Sequence, residues 1–265
     1  MTEWDAANYA RISGLQKAMA EEVLGLLDLS WPAKLLDVGC GNGKVTAEIA
    51  ARLPQGSIVG IDASCNMIDS ASSQFGLPAY RNLSFLVADA RCLPFKATFD
   101  LIVSFNALHW IHRQEEALRA LRSVVTPEGE AQIRLVPLGE RKSLETVLEE
   151  TRCSSDWSGY FRDFQDPYLR LTQDQYAALA AKSGFRVIRI HTAAKAWDFQ
   201  SREAFFAFGT VTFVAWTRFL PDSRKSAFIN DVLDRYQLVA ADKPGEENTF
   251  KFYQMDVTLA PAKRA

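Results

Sequence analysis

The sequence predicts an α/β chain: a doubly wound, mostly parallel sheet of seven strands, wrapped by helices and carrying helical cap and lid insertions. Three observations predict it. From about residue 33 to 135, short apolar runs alternate with stretches of 3.6-residue periodicity, the rhythm of a parallel sheet covered on both faces. The first apolar run passes through Gly39-Cys40-Gly41-Asn42-Gly43 into a helical pattern, a strand-to-helix turn able to bring backbone close to a ligand. Finally, 265 residues with 48% hydrophobic content can bury a full core without metals or disulfides.

In chain order, residues 11 to 28 repeat Ile12, Leu15, Met19, Val23 and Leu27 at three- and four-residue steps, an amphipathic helix that caps the sheet. The strand Leu35-Leu36-Asp37-Val38 then enters a helix near 43 to 53. Ser57-Ile58-Val59-Gly60-Ile61-Asp62 is a second strand, followed by a helix near 65 to 74. A third strand, 83 to 88, ends before Asp89. The fourth, Phe99-Asp100-Leu101-Ile102-Val103-Ser104, releases Phe105-Asn106-Ala107-Leu108-His109-Trp110 at its carboxyl end, where open α/β sheets bind ligands. A helix at 112 to 125 carries Ile111, Leu118, Leu121 and Val125 on one stripe until Pro127-Glu128-Gly129 breaks it, and a fifth strand follows at about 131 to 136.

The rhythm stops after Pro137. Residues 140 to 170 mix polar side chains with Trp157, Tyr160, Phe161, Phe164 and Tyr168, and read as a lid. It resumes with a helix near 172 to 183, Gly184 as its stop, and a strand at 185 to 192. A helical stretch follows with Trp197, Phe199, Phe205, Phe206, Phe208, Phe213, Trp216 and Phe219, which serve either as core between lid and sheet or as pocket lining. The last strand is at about 249 to 259. The chain therefore reads as one domain over 1–265: a cap helix in 1–30, a ligand-binding core in 31–136, and acceptor-side insertions at 137–171 and 195–248.

Composition excludes several function classes. A formal charge of −2 leaves no broad basic surface for a polyanion, so nucleic acid is not the expected partner. No apolar run reaches 18 residues and no signal-peptide pattern follows Met1, so a cytoplasmic protein with no membrane span is expected, as monomer or homodimer. Cys40, Cys65, Cys92 and Cys153 form no C-x-x-C pair and read as free thiols. His109 and His112 are spaced for one helical face, but no third ligand cluster accompanies them and no metal is expected.

The glycine turn carries more specific chemistry. A dinucleotide fingerprint requires its third glycine at position 44, where Lys44 stands. Asp37 argues further against a pyrophosphate, because a carboxylate about 4 Å from a phosphate at an effective dielectric of ~20 costs roughly 4 kcal/mol. A cationic ligand gains instead. Asp62, 19 residues beyond Gly43, can accept both ribose hydroxyls, and Asp89 can accept from an adenine amine. This constellation resembles motif I of the class I S-adenosylmethionine (SAM)-dependent methyltransferases, which have a Rossmann-like fold. The resemblance implies SAM as cofactor and S-adenosylhomocysteine (SAH) as product, without metal. It also implies a cofactor site of Asp37, Gly39, Cys40, Gly41, Asn42, Gly43, Asp62, Ala63, Met67, Asp89, Ala90 and Asn106.

A narrower resemblance rests on Tyr9-Ala10-Arg11-Ile12-Ser13-Gly14-Leu15-Gln16-Lys17, the glycine motif, and Leu108-His109-Trp110-Ile111 followed by Gln114-Glu115. Together these are similar to carboxyl methyltransferases of the juvenile hormone acid O-methyltransferase type. Trp4 with Tyr9 is similar to the opening of trans-aconitate methyltransferases. The match spans roughly residues 4 to 136. It implies methyl transfer to the carboxylate of a small, largely apolar acid. Gln16 and Trp110 would be the catalytic pair, with His109, Trp157, Tyr160 and Trp216 beside the acceptor.

Chemistry agrees with that implication. A carboxylic acid of pKa near 4 is already ionised at neutral pH, and the chain shows no evident catalytic dyad. Transfer from a sulfonium to a carboxylate neutralises both charges, so neutral donors such as the Gln16 amide and Trp110 indole suit the transition state better than an arginine on the reacting oxygens. A polyacid or malonyl carrier-protein acceptor would need further cations, for which Arg162, Arg170 and Arg218 are candidates. Methylation of RNA or protein, and a non-catalytic SAM-binding module, are the alternatives from other classes.

Overall fold

The computed structural model describes residues 14–96 and 98–263. Its centre is a seven-stranded sheet in the order β3-β2-β1-β4-β5-β7-β6. Strands β1 (Lys34–Val38), β2 (Ser57–Asp62), β3 (Leu83–Val87), β4 (Phe99–Phe105) and β5 (Val125–Leu135) are parallel, whereas β7 (Thr249–Pro261) runs antiparallel to both β5 and β6 (Phe185–Asp198). The strand order reverses between β1 and β4. At that point successive connections leave for opposite sides and open a crevice beyond the carboxyl ends of the strands.

The helices follow from local signals. α1 (Gly14–Gly25) covers part of the predicted amphipathic segment, whose earlier residues lie outside those described. α2 (Lys44–Arg52) starts from Gly43, and α3 (Cys65–Phe75) is capped by the Ser64 hydroxyl, which accepts from the Met67 N–H. α4 (Gln114–Val124) has Glu115 and Glu116 in its first turn and Arg122 in its last, matching its dipole. α6 (Gln173–Lys182) opens with a capping box between Thr172 and Gln175.

Three strand boundaries differ from expectation. β5 begins at Val125, because Pro127-Glu128-Gly129 is absorbed into an irregularity where the register jumps from Phe99 opposite Val125 to Leu101 opposite Glu130. A breaker sequence there bulges the strand instead of preceding it. β6 continues through Thr192-Ala193-Ala194-Lys195-Ala196 to Asp198 although alanines are poor strand formers, since β7 pairs with it residue for residue, placing Phe252 opposite Lys195 and Phe250 opposite Trp197. β7 itself runs to Pro261.

Two apolar layers sandwich the sheet. One, including Leu36, Ile102, Leu118, Leu121 and Leu259, lies toward α4 and α6; the other, including Leu24, Leu35, Ile49 and Val103, lies toward α1 and α2. A third core forms the cap from α5 (Leu144–Arg152), α7 (Arg202–Thr212), α8 (Val214–Thr217) and α9 (Asp222–Ala240), with Trp157, Phe161, Phe205, Phe208, Phe213, Trp216 and Phe228 buried among them. The aromatic-rich carboxyl-terminal stretch is thus mainly core. Tyr236 fastens α9 to the sheet by donating its hydroxyl to the Lys251 carbonyl and accepting the Lys251 N–H.

No helix among the described residues is long and apolar enough to cross a membrane, and no group of three or more His, Cys, Asp or Glu among them is placed to hold a metal. The four cysteines are free thiols.

Candidate active site

The glycine turn sits at the crevice. The N–H groups of Gly39 and Cys40 both donate to the Ile61 carbonyl at 2.8 and 2.9 Å, which bends the chain from β1 toward β2. Gly39 has φ +79°, and a Cβ there would lie 2.2 Å from the Ala107 methyl, so the turn touches the segment leaving β4. Gly41, at φ +54°, has nothing within 4 Å of a Cβ position. The turn is therefore packed at its entrance and open at its middle. Gly43 caps α2, and Asn42 is buried, its Oδ1 accepting from the Lys44 N–H at 3.4 Å.

Asp37 is buried on β1, with one carboxylate oxygen accepting the Thr46 hydroxyl at 2.7 Å. Burial pushes its carboxyl up to about 7 against the Thr46 hydrogen bond, and the nearby negative charge of Asp62 adds to the rise. Burial likewise pushes up the Cys40 thiol, which is no nucleophile. Asp62 accepts the Gly41 N–H at 3.0 Å and the Ser64 N–H at 2.9 Å, so its orientation is fixed by the turn and by the start of α3. Beside it Ala63 is half-buried and Met67 buried.

Asp89 lies beyond the end of β3. Both its oxygens face the Arg91 guanidinium at 2.9 and 3.0 Å from Nε, which holds its carboxyl below the usual range. The expected adenine contact therefore competes with an existing ion pair. The adjacent Ala90 is buried. Asn106 follows β4 at φ +57°, a conformation asparagine tolerates, and its N–H donates to the Arg134 carbonyl at 2.8 Å. Its buried Oδ1 has no hydrogen-bond partner among the described residues.

Leu108–Trp110 form one 3₁₀ turn against residues 166–171. The Leu169 N–H donates to the His109 carbonyl at 2.8 Å, and Gln114 Nε2 donates to the Leu169 carbonyl at 3.0 Å. The Tyr168 ring stacks on His109 at 5.1 Å and 7°, and lies 4.2 Å from Trp110 and 5.9 Å from Trp216. His109 is buried, and its Nδ1 accepts the Val136 N–H at 3.3 Å, which assigns the ring proton to Nε2. Burial, reinforced by the positive charge of Arg170, lowers its pKa to about 3.

Two expected acceptor residues need correction. Trp157 donates its indole N–H to Asp231 at 2.7 Å and packs edge-on against Phe228, inside the cap core. Trp216 donates to Glu149 at 2.6 Å and is fully buried, leaving only a ring face toward Tyr168. Their volume and polar handle made them attractive in sequence, but the cap consumes both. Tyr160 is exposed on the rim of the cap. Gln16 belongs to α1, with its side chain outside the described residues. Tyr168 was legible only as a lid aromatic, and no spacing rule ties residue 168 to residue 109.

The crevice side of this site is rich in acceptors: the Asp37 and Asp62 carboxylates and the orphaned Asn106 Oδ1. That set suits a ligand bearing an ammonium and hydroxyl donors, and disfavours a phosphate. A family description, "Methyltransferase domain", matches residues 35–129. A malonyl-[acyl-carrier protein] O-methyltransferase of Geobacter sulfurreducens is 30% identical over 188 residues, spanning 70% of this chain and 68% of that protein. The chain is a class I SAM-dependent methyltransferase.

The methyltransferase is also 29% identical over 163 residues to a trans-aconitate 2-methyltransferase of Methylobacterium radiotolerans, covering 62% of this chain and 60% of the relative. Its fold matches the solved structure of Haemonchus contortus phosphoethanolamine N-methyltransferase 2 in complex with S-adenosyl-L-methionine, with a TM-score of 0.55, 17% identity, and coverage of 88% of this chain and 49% of the other.

Proposed function

We propose that the methyltransferase esterifies the carboxylate of a small organic acid with a largely apolar body. The state of His109 carries this reading. With its Nδ1 lone pair taken by Val136, its proton on Nε2 and a pKa of about 3, it is a neutral donor and a poor base. A base that weak does not remove a proton from a hydroxyl at neutral pH, whereas a carboxylic acid arrives ionised.

In this reading Asp37 and Asn106 Oδ1 receive the cofactor's amino group, Asp62 its ribose hydroxyls, and Ala63, Met67 and Ala90 flank its adenine. SAM supplies an electrophilic methyl on its sulfonium when bound. Trp110, backed by Tyr168, and Gln16 of α1 hold the acceptor carboxylate in line, the contribution that oriented intramolecular systems show as effective molarities of about 10⁵ to 10⁸ M. Residues 31–136 are the cofactor core, and 137–171 with 195–248 form the acceptor side of the same domain.

A second reading, an acid carrying further charged groups, is favoured by Arg170. Its Nη2 pairs with Asp166 at 2.9 Å while its buried Nη1 has no hydrogen-bond partner among the described residues. The names of the malonyl and trans-aconitate relatives support it. Incubation with methyl-labelled SAM and a panel of octanoate, malonate half-ester, trans-aconitate, an alcohol, an amine, total RNA and lysate protein tests both. Alkali-labile label on an acid is the expected result, and which acid takes it separates the two. Label confined to the alcohol, amine, RNA or protein would overturn the carboxylate assignment.

A further inference from the structure

Helix α1 bridges the two halves of the molecule. Leu15 is buried in the cap core with Met19 packed against it, while Leu24 lies in the apolar layer beneath β1. Between these anchors Glu22 reaches onto the sheet. Its Oε1 accepts Lys195 Nζ at 2.7 Å, its Oε2 accepts Arg134 Nη1 at 3.4 Å, and the Gln254 side chain also hydrogen-bonds it. Lys195, Gln254 and Arg134 belong to β6, β7 and β5, three neighbouring strands, so the sheet presents a ready socket for one carboxylate.

The socket and its plug differ in how firmly they are held. Arg134 is 1% exposed and is bound through two nitrogens to Asp256 at 2.7 and 2.9 Å, so its charge is balanced within the sheet whether or not Glu22 is present. Glu22 and Lys195 are 39% and 35% exposed and regain water when parted. Withdrawing Glu22 therefore strands no buried charge, whereas separating Arg134 from Asp256 would. The joint between α1 and the sheet is the one suited to opening.

We propose that Glu22 is a positioning residue: its carboxylate latches α1 across the cofactor core and the cap, and its release lifts that helix for cofactor exchange. The proposal rests on the reading that the glycine turn holds SAM. SAH binding to the full chain tests it, with dissociation rates from stopped flow and hydrogen exchange over residues 14–25. Glu22→Gln and Lys195→Met should each speed SAH dissociation about tenfold, the range of a charge-assisted hydrogen bond, and lower protection in 14–25 while leaving β5 and β7 unchanged. The double variant should be no worse than either single, because both remove one interaction. Rates within twofold of wild type in both single variants, or effects of the two that multiply, overturn the latch. Absence of SAH binding by the wild-type chain would instead overturn the site reading, and the latch with it.

Discussion

Asp37 carries a carboxyl whose ionisation its own surroundings resist. Its pKa in the folded chain, about 7, lies above the ordinary 3.8. Its contribution to stability is therefore fully present below pH 3.8 and is lost as the pH rises through 7. Without ligand, the wild-type melting temperature should fall more steeply between pH 6 and 8 than that of Asp37→Asn, as followed by scanning calorimetry. Binding a cation reverses the preference: SAM affinity should rise from pH 6 to 8, with a proton released on binding that titrations in two buffers of different ionisation enthalpy would count.

The turn makes a paired prediction. Gly39→Ala adds a clash with Ala107 to the strain of positive φ, whereas Gly41→Ala meets only the strain, about 1 to 2 kcal/mol. Urea unfolding should show Gly39→Ala as the more destabilised, and calorimetry should show Gly41→Ala losing SAH affinity beyond its loss of stability, because its methyl enters the open face of the turn. The acids were legible in sequence because their separation from the glycines is set by strand length. Thr46 and Arg91, which restrain Asp37 and Asp89, were not, since their partnerships exist only once the chain has closed on itself.

Elements divide by how local their causes are. The alternation through β5 was readable because each helix and strand in it carries its own period. The length of β6 was not, because residues 193–196 are held straight by partners some sixty positions away. The cap shows the same limit: its aromatics announced burial but not which of them face the acceptor. Two tryptophans separate these roles. Trp216→Ala should cost about 3 to 5 kcal/mol in denaturant titration, from the cavity and the lost bond to Glu149. Trp110→Ala, at a half-buried position on the crevice side, should leave SAH binding within about tenfold and depress turnover on the accepted acid. Unchanged turnover would remove Trp110 from the acceptor site.

For the whole molecule, the crevice between β1 and β4 joins the glycine turn to the segment leaving β4, so a ligand there couples both sides of the sheet's reversal point. SAH at about 100 times its dissociation constant should stabilise the fold by about 2.7 kcal/mol, a rise in melting temperature of roughly 5 to 10 °C. Nicotinamide dinucleotides should leave it unmoved, and a shift with those alone would contradict the acceptor-lined site.

The antiparallel arm formed by β6 and β7 has one more consequence. Asp198 and Thr249 are direct cross-strand partners, so everything from residue 199 to 248 is spliced into the tip of a hairpin whose two ends already meet. A segment of another length or composition can be grafted between those two residues without moving the register of any strand beneath. The methyl donor's end of the enzyme and the tissue that surveys its clients are, in that sense, separately replaceable parts, and a chimera made at this seam should keep its appetite for SAH while changing what it esterifies.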